Sequence, residues 1–269
     1  MTQALDLDAY FERIGWGGST HATFDTLSDL VQAHMAAIPF ENLDVLLGRP
    51  IRLDLQGLQD KLVGAHRGGY CFEHTTLFAV VLERMGFHPV RHSARVTMMT
   101  PRATAPRSHM FLTVPLHEGR FVVDVGFGSL AAPFPVPLLD GEQVRTDETT
   151  HWMKREGDLW LLRAMSDDKA IDAWVSTLEK DNAVDFDMGN HYVSTHPASA
   201  FVNRILMRAL TANGRVTVMN RDVSIWRDGE RHTSQLADRA ALRALVAEHF
   251  GFDLPEIERV RVPSIPDWA

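Results

Sequence analysis

The chain reads as an α+β protein of 269 residues. Three observations support that class. The first third carries apolar residues at helical spacing. The middle third switches to strand-like runs rich in Val, Phe, Leu and Thr, and the last third mixes both patterns. Block order of this kind favours α+β over repeated βαβ units. At 45% hydrophobic and 23% charged, the chain has ample core material for one large domain or two to three packed subdomains.

The helices come first. Asp6 caps a helix that puts Leu7, Tyr10, Phe11 and Ile14 on one face, with Gly15 or Gly17 at its end. A second follows Thr23, with Leu27, Leu30, Val31, His34, Met35 and Ile38 recurring until Pro39 stops it. A third spans 54–65 along Leu55, Leu58 and Leu62. A fourth starts near Cys71, carries Phe72, Thr75, Thr76, Ala79, Val80 and Leu82, and ends at Gly86.

Strands follow. Residues 90–99 form one, and 108–116 with 119–127 form a hairpin about His117-Glu118-Gly119. Pro133-Phe134-Pro135-Val136-Pro137 interrupts regular structure. Residues 152–155 and 158–164 pair about a turn at Glu156-Gly157. The last third predicts a short helix over 199–210 and a hairpin of 215–220 with 222–227. An amphipathic helix over 237–250 then turns Leu242, Leu245, Val246 and His249 inward and stops at Gly251.

The net charge of −8 gives no general attraction to nucleic acid. The start of the chain lacks the basic and apolar segments of a signal peptide, and the longest apolar runs are too short to span a bilayer. A soluble cytoplasmic protein with no membrane or nucleic-acid partner is expected.

Cys71 is the only cysteine, so it has no partner for an internal disulfide or a cysteine zinc site. It follows Gly68-Gly69 and opens a helical pattern. Unpaired N–H groups and partial positive charge at a helix start stabilise a thiolate. A lone cysteine is more often a small buried apolar residue, but the flanking glycines and charges point to a nucleophile. Such a nucleophile needs a base, and the base an orienting group. His109 lies in the first strand of the hairpin and Asp124 in the returning strand. A turn centred between Leu116 and His117 sets them opposite each other, while one centred on Glu118 separates them by three positions. Pairing with His109 would offset the cost of burying Asp124 among Val122, Val123, Val125 and Phe127. His88 and His92 are split by Pro89, and His191 and His196 lack a third ligand, so no metal is expected. Gly126-Phe127-Gly128 allows close backbone approach to a pyrophosphate.

The chain resembles the arylamine N-acetyltransferase family. The segments that carry the resemblance are Pro39-Phe40-Glu41-Asn42-Leu43, Arg67-Gly68-Gly69-Tyr70-Cys71-Phe72-Glu73, Ser108-His109-Met110 and Val123-Asp124-Val125-Gly126-Phe127-Gly128. Asn190-His191-Tyr192-Val193-Ser194-Thr195-His196-Pro197 and Phe201 complete it, in family order. His74-Thr75 departs from the Gln-Asn of many members.

The resemblance implies Cys71 as nucleophile, His109 as base and Asp124 as orienting acid, in a cysteine-protease-like core. It implies an N-terminal helical bundle (1–87), a central antiparallel β-barrel (88–190) and a C-terminal α/β lid (191–269). The implied reaction is ping-pong, with acetyl-CoA as co-substrate and arylamines, arylhydrazines or N-hydroxyarylamines as acceptors. Phe40, Phe127 and Phe201 match acceptor-pocket positions, and Gly126 and Gly128 are the expected cofactor-binding pair. Arg67 is expected to support the Cys71 turn, with Glu41 and Glu73 in buried salt bridges and Arg102 and Arg107 on a solvated face or against CoA phosphates. A cysteine hydrolase or transglutaminase-like enzyme would use the same triad, and a noncatalytic binding relative would keep only the pocket.

Overall fold

The helices begin and end where local chemistry allows. In the computed structural model, which describes residues 4–98, 100–128, 130–146, 149–166 and 169–268, α1 spans Leu7–Ile14. Asp6 accepts the Ala9 N–H at its start, and Gly15 closes it in the left-handed region at φ 64°. α2 (Phe24–Ala37) starts under Thr23, which accepts the Thr26 N–H. α3 (Leu43–Leu46), unforeseen from sequence, is a single turn. The helix expected over 54–65 is α4 (Leu55–Leu58) widened into a π-helical segment over Gln59–Gly64. α5 spans Cys71–Arg84. Leu27, Leu30, Leu58, Leu62, Leu77, Phe78 and Leu82 meet in one core, each contributing roughly 1.5–3 kcal/mol by leaving water.

The strands are β1 (Val90–Val96), β2 (Arg107–Leu116), β3 (Gly119–Val123), β4 (Val136–Pro137), β5 (Gln143–Arg145), β6 (Thr150–Glu156), β7 (Leu159–Ser166) and β8 (Lys169–Ser176). Among the described residues they form one antiparallel sheet in the order β4-β3-β2-β1-β8-β7-β6-β5. A bridge from Asp140 to Met153 brings the β4–β5 connection back to β6, so the sheet curls into a near-barrel. Phe111, Met153, Leu162, Ala173 and Trp174 fill it. β1 stops at Val96, and Met99, its expected end, lies outside the described residues. The proline segment contributes only the edge strand β4, where a missing N–H costs least.

The β2–β3 register corrects both expected alignments. His117 and Glu118 make a two-residue turn, so Leu116 faces Gly119 and Leu112 faces Val123. β3 ends at Val123 instead of Phe127. One further step places Asp124 across from Phe111. Since alternate residues share a face, Asp124 is the diagonal neighbour of His109, not its direct partner.

The last third is α6 (Ala183–Thr195), α7 (Ala200–Asn203), β9 (Leu206–Thr211), β10 (Gly214–Met219), β11 (Asp222–Arg227), β12 (Glu230–Gln235) and α8 (Arg239–His249). The helix expected over 199–210 is wrong beyond Asn203. Ile205, Met207 and Ala209 are buried at period two, which is a strand pattern. These strands form a second antiparallel sheet, β12-β11-β10-β9. Leu242 and Val246 of α8 pack with Val216, Val218 and Val223, while Leu245 is half-buried. No helix among the described residues is long and apolar enough to cross a membrane.

One short segment joins these parts. Phe40 bridges Gly69 on one side and Arg208 of β9 on the other. Its N–H donates to the Arg208 carbonyl at 2.8 Å, and its carbonyl accepts the Arg208 N–H at 2.9 Å.

Candidate active site

Cys71 is the first residue of α5, and the turn before it has no room for side chains. A Cβ on Gly68 would lie 2.1 Å from the Pro39 carbonyl oxygen. Glu73 reaches back to the Tyr70 N–H at 3.0 Å, half of a capping box. The Tyr70 hydroxyl donates to Asn190 Oδ1, and Asn190 Nδ2 donates to the Ile51 carbonyl at 3.1 Å. The helix start that carries Cys71 is thereby tied to α6.

Buried ion pairs brace the same turn. Arg67 donates through Nη2 to Glu41 Oε1 at 2.6 Å and through Nη1 to Asp44 Oδ1 at 3.2 Å. Lys61 Nζ lies 2.8 Å from Asp44 Oδ2 and 2.7 Å from Glu73 Oε1. Glu41 Oε2 also takes the Leu43 N–H at 2.7 Å. Burial opposes the charge on Asp44, but Lys61 and Arg67 prevail and hold its carboxyl at about 2. Such pairs are strongly interdependent, because removing one partner strands the other in a dry site.

His109 and Asp124 are buried together. His109 Nε2 donates to Asp124 Oδ2 at 2.9 Å, and Trp174 Nε1 donates to the same oxygen at 2.8 Å. Asp124 Oδ1 has no hydrogen-bond partner among the described residues. With Nε2 committed, Nδ1 is the nitrogen left for Cys71, which lies close enough to the ring to help hold its proton. The sulfur also lies 3.8 Å from the Ser108 carbonyl oxygen. Burial disfavours a charged imidazole, yet the Asp124 charge and its hydrogen bond, aided by Cys71, raise His109 to about 10. The Phe111 ring stacks on Trp174 at 4.1 Å, and Phe127 packs edge-on to His109 at 4.9 Å.

The three expected pocket aromatics are distributed around this centre. Phe40 and Phe201 meet edge-to-face at 6.1 Å, and Phe201 lies 5.3 Å from Tyr70. Both are half-buried against the cluster of Tyr70, Cys71, Phe72 and Met110, and Phe127 covers the His109 side. Gly126 and Gly128 are both buried. A Cβ on Gly126 would come within 2.7 Å of Cys71 Cα, and one on Gly128, at φ 79°, within 3.2 Å of the Phe40 ring. These glycines let the chain after Asp124 close onto Cys71 and onto Phe40. Arg102 pairs with Glu156 at 3.0 Å, and Arg107 lies 3.7 Å from both Glu179 and Asp181. No group of three or more His, Cys, Asp or Glu among the described residues is placed to hold a metal ion.

Sequence reasoning missed Trp174, whose only signal is a large aromatic inside the apolar run Ala173-Trp174-Val175. It also missed a polar row beneath α5. Tyr10 meets His34, and His34 meets His74. Burial lowers His34 well below its ordinary value and lowers His74 to about 4.

These shifts set a stability optimum. An unfolded histidine titrates near pH 6.5. As pH falls from about 6.5 to 4, the unfolded chain takes up a proton that folded His74 refuses, so stability falls, by an amount on the order of 3 kcal/mol. As pH rises from about 6.5 to 10, folded His109 keeps a proton the unfolded chain has lost, so stability falls again. Urea midpoints measured from pH 5 to 9 are expected to peak near 6.5. A flat profile would contradict both assignments.

A protein-family model described as N-acetyltransferase matches residues 23–260. The arylamine N-acetyltransferase of Mycobacterium tuberculosis is 39% identical over 259 residues, covering 94% of this chain and 92% of that protein. A Salmonella typhimurium relative named arylamine N-acetyltransferase / N-hydroxyarylamine O-acetyltransferase is 32% identical, over 94% of this chain and 90% of its own length. The solved structure of the Mycobacterium marinum arylamine N-acetyltransferase in complex with CoA superposes with a TM-score of 0.88 at 35% identity, covering 94% of each chain.

Proposed function

The chain belongs to the arylamine N-acetyltransferase family and is an acetyl-CoA-dependent acyltransferase, and from that premise we propose that Cys71 carries the acetyl group between acetyl-CoA and the nitrogen of an arylamine or arylhydrazine. The observation that supports this reading best is the buried His109, bonded to Asp124 and close enough to Cys71 for the thiol to help hold the ring's proton.

The proton shared by Cys71 and His109 rests on the ring, which stays charged at neutral pH, and the Cys71 thiolate attacks the thioester carbonyl carbon of acetyl-CoA. The carbon–sulfur bond to CoA breaks, and the departing sulfur takes the proton from His109. Exchange of one thioester for another is nearly balanced, so acetyl-Cys71 forms without a large penalty. Asp124 holds the ring orientation and stabilises its charged form. An aromatic amine is weakly basic, so its lone pair is free at pH 7. It attacks acetyl-Cys71, its proton passes to neutral His109, and the thiol is regenerated.

Phe40, Phe127 and Phe201 form the acceptor wall, where apolar rings seat an aromatic substrate and exclude competing water. The Salmonella relative's name extends the acceptor class to the oxygen of N-hydroxyarylamines.

Intact-protein mass spectrometry tests this. Acetyl-CoA is expected to add one acetyl group, mapped to Cys71, which an aminobenzoate or a hydrazine then discharges as the N-acetyl product. No adduct on folded protein would reject the covalent route, and discharge to water alone would make the chain a thioester hydrolase.

A further inference from the structure

Beneath Cys71 lies a row of polar side chains that the reaction does not use. Tyr10 Oη is 2.9 Å from His34 Nδ1, His34 Nε2 is 2.9 Å from His74 Nδ1, and His74 Nε2 is 3.2 Å from the Pro39 carbonyl oxygen. Tyr10 and His34 are fully buried, and His74 is 1% exposed.

The direction of every bond follows from the far end. A carbonyl only accepts, so His74 carries its proton on Nε2. Burial keeps both rings neutral, and the charged groups that reach them, Arg13 and Lys61, are cations that disfavour a further positive charge. Nδ1 of His74 therefore accepts from His34 Nε2–H, and Nδ1 of His34 accepts from the Tyr10 hydroxyl. The three side chains are thus linked in one sense only, ending on the Pro39 carbonyl. A fully satisfied buried array of this kind fixes geometry.

The carbonyl at its end is a structural junction. It also accepts the Gly69 N–H at 3.2 Å, while the Gly69 carbonyl accepts the Glu41 N–H at 2.8 Å. Phe40 lies between them, with its ring against Phe201 and over Gly128. His74 stands three residues after Cys71, one turn along the same side of α5.

We propose that Tyr10, His34 and His74 form a positioning array that sets Phe40 against Cys71 and so sets affinity for the aromatic acceptor. The inference rests on the reading above that Phe40 lines the acceptor wall. His74 is a positioning residue that acts through the Pro39 carbonyl. Leucine at this position would leave that carbonyl one donor short and His34 Nε2–H without an acceptor. A glutamine amide supplies one donor and one acceptor, as the imidazole does.

The test compares wild type, His74→Leu and His74→Gln with acetyl-CoA and an aminobenzoate. His74→Leu is expected to raise acceptor KM about tenfold while slowing single-turnover acetylation of Cys71 less than about twofold. His74→Gln should return KM to within about threefold of wild type. An unchanged KM, equal losses in both half-reactions, or a glutamine variant no better than leucine would overturn the proposal.

A second arm needs neither activity nor a variant that folds. Nitrogen-15 NMR of wild-type imidazoles at pH 7 should show His34 and His74 neutral, each with its proton on Nε2. A charged ring, or a proton on Nδ1 of either, overturns the array. A wild-type protein that shows the Nε2 tautomers but forms no acetyl-Cys71 instead rejects the transfer reading.

Discussion

Cys71→Ser is expected to lower kcat/KM for acetyl transfer by at least about 10³-fold with the fold intact. Serine fills the same space at the head of α5, and the bracing of Tyr70, Glu73 and Arg67 does not involve the sulfur. Two chemical losses combine. The hydroxyl gives up its proton far less readily than a thiol, so His109 has a harder deprotonation to perform. Any acetyl-serine formed would be an ordinary ester, which a weakly basic arylamine attacks poorly. Circular dichroism checks the fold, and acetylation by mass spectrometry checks the chemistry. A folded variant with near wild-type turnover would remove Cys71 from the mechanism.

Asp124→Asn should cost about 10²–10⁴-fold in the rate of Cys71 acetylation. The carboxylate is the main opponent of the burial that drives His109 towards neutrality. Without its charge, His109 should fall from about 10 towards or below its ordinary value. The geometry adds a penalty. His109 and Trp174 both donate to Oδ2, so the amide must keep its oxygen there and turn its NH₂ to the Oδ1 position. Oδ1 receives no hydrogen bond among the described residues, so the amide's NH₂ inherits no partner there and a buried donor carries a desolvation cost. Single-turnover acetylation and an NMR titration of His109 read the two effects. Normal acetylation in a folded variant would reject the role of Asp124.

The sequence reading reached the parts of this site governed by local pattern. The caps Asp6 and Thr23, the helix opened by Cys71, and the two hairpins at 108–127 and 215–227 are written in adjacent residues. The hairpin placed His109 and Asp124 near each other, although the turn lengths considered gave the wrong register. What depends on tertiary partners was not legible. β8 supplies Trp174 from the centre of the sheet, but its run 169–176 begins with exposed Lys169 and Ala170 and carries Asp172. α6 lacks a broad apolar stripe, with Phe186, Asn190 and Val193 buried. Its Gly189 is needed because a Cβ there would come within 2.8 Å of the Phe72 ring. The helix misread through 199–210 began correctly at its Ser199 cap, and the period-two burial that ends it appears only against the second sheet. His74 carries no helical signature of its role, because its partners stand 35 and 40 residues away.

The bridge from Phe40 to Arg208 has a consequence for the order of events during synthesis. A ribosome adds about 5–20 residues per second, so Cys71 leaves the tunnel roughly 7–27 s before the β9 strand that completes its surroundings. Tyr70 likewise waits for Asn190. Throughout that interval the lone thiol stands outside its finished pocket, open to oxidants that the folded protein keeps from it. Cys71, 3% exposed in the finished fold, is therefore least shielded while the polypeptide is nascent, and its burial is completed only with the final third of translation.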